Sequence, residues 1–275
     1  MINLFNYIDR PSPIHRLTGA SKLICMLLWS ISAMTSFYTP MLAVLAAASI
    51  FLFAVSKIRI KDVSFLLGAV TVFMVLNNVL IFLFSPEHGV SLYGSRTVLF
   101  HIAGPYTVTA EQLFYHLNLF LKYLCTIPVV ILFVTTTNPS EFAASLNRIG
   151  VSYRISYAVA LALRYIPDIQ REYRDISLAQ QARGVEMSKK ASLVSRLKAA
   201  SAILIPLVLS SIERIEVVSN AMELRGFGKG KKRSWYTARK FSKGDFLCIG
   251  VSVFVLAVSF LLTWLNGSRF YNPFL

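Results

Sequence analysis

The chain has 275 residues, of which 55% are hydrophobic and 15% are charged, and its mean hydropathy is +0.59. About 25% of the residues of an ordinary soluble domain are charged, so this composition excludes a typical soluble protein and indicates one embedded in a membrane. The 28 Lys and Arg outnumber the 13 Asp and Glu, which gives a net charge of +15 and suits anionic lipid, an acidic partner or nucleic acid.

Five apolar stretches have about the length that a membrane-spanning helix requires, roughly 17 to 25 residues. They lie at 20–37, 40–56, 63–84, 112–135 and 246–265. The second stretch is short, and polar residues interrupt the fourth. We therefore predict an all-α membrane protein with about five transmembrane helices.

The basic residues are distributed unevenly between the predicted loops. Nineteen lie in 138–243, whereas the loop at 85–111 contains one, Arg96. Because basic loops stay in the cytoplasm, we predict a cytoplasmic N-terminus, a cytoplasmic 138–243 segment and an external C-terminus. The basic cluster at 228–233 lies beside a span, which favours an anchor on anionic lipid over a nucleic-acid site.

The predicted spans and the polar segment divide the chain into three parts. They are a membrane domain at 1–137, a cytoplasmic helical module at 138–243, and a last transmembrane helix with an external tail at 244–275. The module is too polar to lie in lipid. We expect it to consist of amphipathic helices between the fourth and fifth spans.

Start and stop signals predict the helices of this module. Asn138 precedes a proline and marks a helix start, and Gly150 marks its end. Pro167 is expected to begin a new helix, which Gly184 closes. A further helix is predicted from about Ser192 to Arg225.

The sequence lacks a recognisable catalytic or metal-binding motif. The string RGFGKGKKR is not a phosphate-binding loop, because Glu223 and Arg225 stand where the first glycine would be needed. The four histidines are scattered, and the three cysteines lie inside apolar runs without metal-ligand spacing. We predict that the chain is not an enzyme and holds no cofactor or metal of its own.

Lys122 is an unusual residue for the middle of the fourth predicted span. An ionisable side chain in the membrane is costly and marks a candidate functional position. Asn118 lies one helical turn away, and Asn77 and Asn78 of the third span are candidate neighbours. The sequence is consistent with a static packing contact and with a moving part.

Two predicted helices of the module end in Arg-Gly. Glycine commonly ends helices and a cation suits the negative end of the helix dipole, so a single such pair would mean little. Four strings of the sequence, the last two of which contain these pairs, resemble those of a known family. They are SPIHRLTGASKL, TTTNPSEFAASLNRIGVS, ALALRYIPDIQREYRDISLAQQARG and AMELRGFG. The family is the transmembrane T component of energy-coupling factor (ECF) importers of vitamins and metals.

The resemblance implies a division of labour. In this family two cytoplasmic ABC-type ATPases hydrolyse ATP, a small membrane S component binds the substrate, and the T component couples them. The two Ala-Arg-Gly signatures of the family fall on Ala182, Arg183, Gly184 and on Leu224, Arg225, Gly226, with Leu224 in place of the usual alanine. These residues are expected to bind the ATPases, and ATP is expected to bind only to those partners.

The predicted helix at 192–225 has an apolar face. Its candidate contacts include Leu193, Leu197, Leu204 and Leu207. This face has two possible partners, the S component or the core of the module itself. Two other classes of protein stay open, a conventional ABC permease and a secondary transporter that works without ATP. Co-purification would decide, because a T component should bring two ATPases and a small membrane partner with it.

Overall fold

The computed structural model describes residues 12–103, 106–185, 192–230, 234–236, 239–266 and 270–274. Within those ranges the chain forms ten α-helices and one antiparallel pair of strands. In chain order these are α1 (Pro13–Arg16), α2 (Gly19–Thr35), α3 (Thr39–Val55), α4 (Ile60–Phe84), α5 (His88–Tyr93), β1 (Val98–Ala103), β2 (Tyr106–Thr109), α6 (Ala110–Thr136), α7 (Pro139–Arg148), α8 (Tyr153–Ala182), α9 (Leu193–Leu224) and α10 (Lys243–Leu265). The loop at 85–111 thus contains α5 and the antiparallel strands β1 and β2.

The chain divides into two compact units. The first comprises Met1–Glu141 and Arg239–Leu275, and the second comprises Phe142–Ala238. The first unit contains all five predicted apolar stretches, each on a helix. The second contains α8 and α9, the two helices that carry the Arg-Gly pairs.

Within the part of the chain that the structure describes, three helices are long and apolar enough to cross a bilayer by themselves. They are α4, α6 and α10, with 25, 27 and 23 residues. The apolar helices α2 and α3 have 17 residues each, about 26 Å at ~1.5 Å per residue, which lies at the lower end of what a span requires. The protein is therefore a largely helical membrane protein, and the number of five spans stays a prediction.

Helix α6 is the central helix of the first unit. It packs against α2, α3, α4 and α5, and α2 also packs against α10. The main core cluster joins α2, α3 and α6 through the buried side chains of Trp29, Ala33, Leu42, Leu45, Ala46 and Cys125. In α4 only Val63 is buried, so most of that helix presents apolar side chains to its surroundings.

Two buried lysines bind the ends of neighbouring helices. Lys22 of α2 donates a hydrogen bond to the carbonyl of Thr136, in the last turn of α6, at 2.8 Å. Lys122 of α6 donates to the carbonyl of Met34, in the last turn of α2, at 2.8 Å, and its Nζ lies 3.2 Å from the centroid of the Phe37 ring. The last four carbonyls of a helix lack partners within the helix, so each lysine satisfies a group that would otherwise be unpaired.

The asparagines expected beside Lys122 have other partners. Asn77 accepts a hydrogen bond from the hydroxyl of Tyr123 at 3.1 Å. Asn78 donates to the carbonyl of Met74 in its own helix at 2.9 Å. The contacts described for Lys122 are with Met34 at the end of α2 and with Phe37 just beyond it.

A buried carboxylate joins the starts of α2 and α10. Asp245 accepts hydrogen bonds from the backbone N–H groups of Thr18, at 2.8 Å, and Ser242, at 2.7 Å. The hydroxyls of Thr18, Ser21 and Ser242 donate to the same carboxylate. Free N–H groups at helix starts favour an anion, which explains an ionisable residue at this position.

The segment after α10 packs back onto earlier elements of the first unit. The ring of Phe270 lies 4.4 Å from that of Phe37, and the ring of Phe274 lies 6.0 Å from that of Tyr93, measured between centroids. Asn272 donates a hydrogen bond to the carbonyl of Tyr93 at 3.0 Å. The segment is thus attached to the end of α2 and to α5.

In the second unit the helices differ from the sequence prediction at one point. Helix α8 runs through Pro167 without interruption, so the prediction that a new helix begins there was wrong. Proline removes one backbone hydrogen bond, and the contacts of α8 with α9 on both sides of this position hold the helix together. The starts at Asn138 and Ser192 and the stops at Gly150 and Gly184 are confirmed.

Candidate partner-binding ends of a helical hairpin

Helices α8 and α9 form an antiparallel hairpin. Gln180 contacts the carbonyl of Ala202 at 3.2 Å, Glu172 pairs with Arg214 at 2.7 Å, and Arg154 contacts the carbonyl of Gly228 at 3.2 Å. As the residue number on α8 rises, the number of the contacting residue falls, so the two helices run in opposite directions. The two helix C-termini therefore lie at opposite ends of the hairpin, separated by about the length of α8, roughly 45 Å for 30 residues at ~1.5 Å each.

The first Arg-Gly pair closes α8 in a Schellman motif. Arg183 is the C-cap residue, and Gly184 adopts a φ of +86°. The N–H of Gly184 donates to the carbonyl of Gln181 at 3.0 Å, and that of Val185 donates to Gln180 at 3.1 Å. These two bonds define the motif, and they fix the backbone that carries the exposed Arg183 side chain.

The second pair closes α9 with the same geometry. Arg225 is the C-cap residue, and Gly226 has a φ of +66°. The N–H of Gly226 donates to the carbonyl of Glu223 at 2.8 Å, and that of Phe227 donates to Met222 at 2.9 Å. The hairpin thus presents an exposed arginine in the same backbone setting at each end.

The glycines are explained by backbone conformation, whereas the arginines are not. A Cβ added at Gly184 would meet nothing within 4 Å, and one at Gly226 would meet only the end of the Lys229 side chain at 3.6 Å. Positive φ therefore accounts for both glycines. A helix end tolerates many residues at the C-cap, so the backbone conformation alone does not require arginine. Leu224 beside Arg225 is 90% exposed. Ala182 is exposed too.

Aromatic side chains hold the second end against the start of α8. The Phe227 ring lies 5.5 Å from the Tyr153 ring and 4.8 Å from the Tyr157 ring. Trp235 lies 6.4 Å from Tyr157 and donates from Nε1 to Oδ1 of Asn147 at 3.1 Å. Sequence reasoning missed this cluster. The signal was present in the two tyrosines four residues apart and in the aromatic residue after the second Arg-Gly pair.

A polar contact fastens the middle of the hairpin. Glu172 accepts from Arg214 and from the hydroxyl of Ser210, and the Arg214 guanidinium lies 5.9 Å from the Tyr165 ring centroid. A carboxylate held by a guanidinium and a hydroxyl forms charge-assisted hydrogen bonds. This contact keeps α8 and α9 in register between the two ends.

The predicted apolar face of α9 is divided between buried and exposed positions. Leu207 is 9% exposed, but Leu197 and Leu204 are 74% and 51% exposed; the side chain of Leu193 lies outside the described residues. Ile203 and Ala199, which were not selected, are buried. Helix α9 thus carries, besides its buried positions, an exposed apolar stripe on the opposite face. Its members are Val194, Leu197, Leu204, Ile205, Val208, Ile212 and Ile215.

The hairpin encloses two adjoining clefts between α8 and α9. The first has a volume of about 450 Å³ and apolar walls that include Leu161, Ile169 and Val218. The second, of about 370 Å³, lies next to the second Arg-Gly end and is lined by charged, aromatic and apolar residues, among them Arg164 and Arg225. Among the described residues, no cluster of three His, Cys, Asp or Glu side chains could hold a metal ion.

Comparison with protein families identifies one matching model. The family described as cobalt transport protein, CbiQ, matches residues 10–236. This range contains both units of the fold except α10 and the segment that follows it. It includes both Arg-Gly ends.

Characterised relatives are similar over almost the whole chain. The energy-coupling factor transporter transmembrane protein EcfT of Leuconostoc gelidum is 27% identical over 286 residues, which cover 97% of this chain and 99% of the relative. EcfT of Streptococcus thermophilus is 28% identical over 269 residues, covering 95% and 97%. A putative ABC transporter ATP-binding protein of Bifidobacterium longum is 29% identical over 168 residues, which make up 56% of this chain and 21% of that protein.

Proposed function

Because the chain belongs to the CbiQ family and is an EcfT-like T component of ECF transporters, we propose that it couples ATP hydrolysis to import. Two cytoplasmic ABC-type ATPases supply the motion, and this chain transmits it to a membrane S component that binds a vitamin or another micronutrient. The chain itself performs no hydrolysis, and ATP binds to the partners. The unit that contains the hairpin lies in the cytoplasm.

The observation that carries this proposal is the matched pair of helix ends. Each presents an exposed arginine on a Schellman-capped backbone, and the two lie at opposite ends of one hairpin. Two equivalent docking points fit two ATPase subunits. Arginine offers a rigid fork of donors to carboxylates or backbone carbonyls in a groove.

One relative supports contact between the two kinds of subunit. The Bifidobacterium protein named as ATP-binding shares a region of 168 residues with this chain, and that region is 21% of its length. A protein that combines such a region with an ATP-binding function keeps the two activities together in one polypeptide. In this chain the same association would be made between separate subunits.

The exposed apolar stripe on α9 is the surface that we assign to the S component. Leu197, Leu204 and Ile215 are more than half exposed. A helix with apolar residues on opposite faces is typically buried on both in the complete assembly. A membrane protein whose surface is itself apolar would cover this stripe.

The proposal is tested by reversing the charge at both arginines. Truncating one side of a buried charge pair costs about 2 to 5 kcal/mol, and each ~1.4 kcal/mol is a factor of ten in affinity. Two linked sites bind by avidity, so Arg183→Glu or Arg225→Glu alone is expected to leave a complex that assembles but transports poorly. The double variant is expected to lose the ATPases from affinity-purified membrane complexes and to abolish substrate uptake.

Arg171→Glu is the matched control, because Arg171 lies on the same hairpin and its side chain is 79% exposed. This variant should retain both ATPases. The proposal would be contradicted if the double variant, correctly inserted in the membrane, kept its ATPases and transported normally. The arginines would then be helix caps and nothing more.

A further inference from the structure

We propose that the second Arg-Gly end binds its ATPase through the cleft between α8 and α9, with Arg164 as a second cation beside Arg225. The group that enters is an acidic side chain of the ATPase. This inference rests on the proposed function, and it goes beyond that proposal by adding a residue and a pocket. The sequence resemblance points to neither.

The cleft has the shape and lining of a side-chain pocket. Its volume is about 370 Å³, and Arg225 is one of the residues that line it. Tyr157 and Phe227 contribute aromatic walls, while Arg164 and Asp168 contribute charge. Recognition pockets commonly combine an apolar or aromatic lining with a few polar groups that orient the ligand, and this cleft has that composition.

The charges of the cleft favour an anion. Arg164 and Arg225 bring two guanidinium groups, and Asp168 brings one carboxylate, so positive charge is in excess. Each guanidinium has five N–H donors and no acceptor, and two of them can share one incoming carboxylate through charge-assisted hydrogen bonds. The remaining aromatic wall suits the methylene part of a glutamate or aspartate side chain.

The backbone around the cleft is held in place before any partner arrives. Phe227 follows the glycine stop directly and is packed against Tyr153 and Tyr157. Arg154 donates to the carbonyl of Gly228 at 3.2 Å, and Trp235 is hydrogen-bonded to Asn147. Contacts of this kind lower the ordering cost of binding. We therefore regard Phe227 and Trp235 as positioning residues for Arg225.

An anionic lipid headgroup is the other ligand with suitable charge. The concave shape and the aromatic walls fit a single protruding side chain better than the flat surface of a bilayer. We therefore assign the cleft to the ATPase, and binding to lipid becomes an outcome that the experiment can detect.

The experiment measures release of the ATPases from the immobilised full complex. It uses the Arg183→Glu background, in which the second end alone provides an arginine, so that avidity does not hide the effect. Arg164→Gln is expected to speed ATPase release about tenfold, equivalent to about 1.4 kcal/mol, because loss of a desolvated charge contact acts mainly on dissociation. Arg196→Gln in the same background is the control, because Arg196 is exposed on α9 and does not line the cleft; this variant should release its ATPases at the unchanged rate.

Two further measurements give each outcome a meaning. The thermal unfolding midpoint of Arg164→Gln should equal that of the control, which excludes a folding defect. Phe227→Leu should speed ATPase release as well, because it loosens the wall that holds Arg225. The release rates are also measured at raised salt concentration. Salt screens charge interactions, so it should reduce the difference in release rate between Arg164→Gln and its Arg183→Glu parent. Binding to phosphatidylglycerol vesicles should be the same in Arg164→Gln and control.

The inference would be overturned if Arg164→Gln released its ATPases at the control rate, or if it lost binding to vesicles alone. Such a result leaves the proposed function intact, provided that the Arg183→Glu, Arg225→Glu double variant still loses the ATPases. If that double variant kept them, the proposed function would fail first. The two proposals can therefore fail independently.

Discussion

Particular positions in this chain require glycine for one of two physical reasons, backbone conformation or lack of space. Gly184 and Gly226 adopt positive φ, which other residues reach only at a cost of roughly 1–2 kcal/mol. At Gly89 the space for a side chain is limited. The N–H of Gly89 donates to the Gln112 side chain at 2.7 Å, and this contact holds α5 against the start of α6. A Cβ there would lie 2.6 Å from backbone atoms of Glu111 and Gln112.

Gly89→Ala should therefore destabilise the protein. Backbone cannot move as freely as the end of a side chain, and overpacking typically costs about 1–3 kcal/mol. Gly250→Ala is the matched control, because a Cβ at Gly250 meets nothing within 4 Å and alanine favours a helix. The thermal unfolding midpoint in detergent should fall for Gly89→Ala and hold or rise for Gly250→Ala; equal midpoints would show that α5 and α6 do not approach so closely.

At the scale of elements, the helices of the first unit are joined through their ends. Lys22 and Lys122 each bind a carbonyl in the last turn of a neighbour. Asp245 gathers donors from the starts of α2 and α10. The ends of helices carry the backbone groups that have no partner within the helix. Charged side chains stabilise the unit by binding those groups, which an apolar contact would leave without partners.

Asp245→Asn is expected to cost at least about 2 kcal/mol, since hydrogen bonds to a charged group contribute roughly 1.5–3 kcal/mol each. The carboxylate only accepts, whereas asparagine adds two N–H donors. The N–H groups of Thr18 and Ser242 cannot turn away from them. Asp175→Asn makes the same chemical change at an exposed position and should be nearly neutral. A comparison of unfolding midpoints checks this, and equal values for the two variants would refute the role assigned to Asp245.

At the scale of the whole molecule, orientation in the membrane follows from charge and stays a prediction. The basic residues of 138–243 place the second unit in the cytoplasm. With five spans the loop that contains α5 and the segment after α10 lie outside. The short helices α2 and α3 must then both cross the bilayer.

Single cysteines in a background without Cys25, Cys125 and Cys248 report this topology. Ser91→Cys and Asn266→Cys, at exposed positions, should react with an impermeant thiol reagent added outside intact cells. Gln170→Cys, exposed on α8, should react only after the membrane is opened. Labelling of Gln170→Cys from outside would refute the five-span orientation.

Local signals in the sequence were sufficient for most helix boundaries. Gly184 and Gly226 end α8 and α9 because positive φ is a property of the residue itself. The prediction that a new helix begins at Pro167 was wrong, because whether a proline interrupts a helix depends on the contacts that surround it. The family followed from the order of motifs along the chain, and the matched residues 10–236 agree with it.

The sequence by itself determined the apolar helices, their caps and the two arginines, since length, charge and local conformation are written in neighbouring residues. Only the tertiary structure decided that the two Arg-Gly ends lie at opposite ends of one hairpin. It also placed Arg164 and Arg225 on the walls of one cleft and Lys122 on the end of α2. Those relations join residues far apart in the chain, and the packing of one helix on another determines them, so no local pattern could encode them.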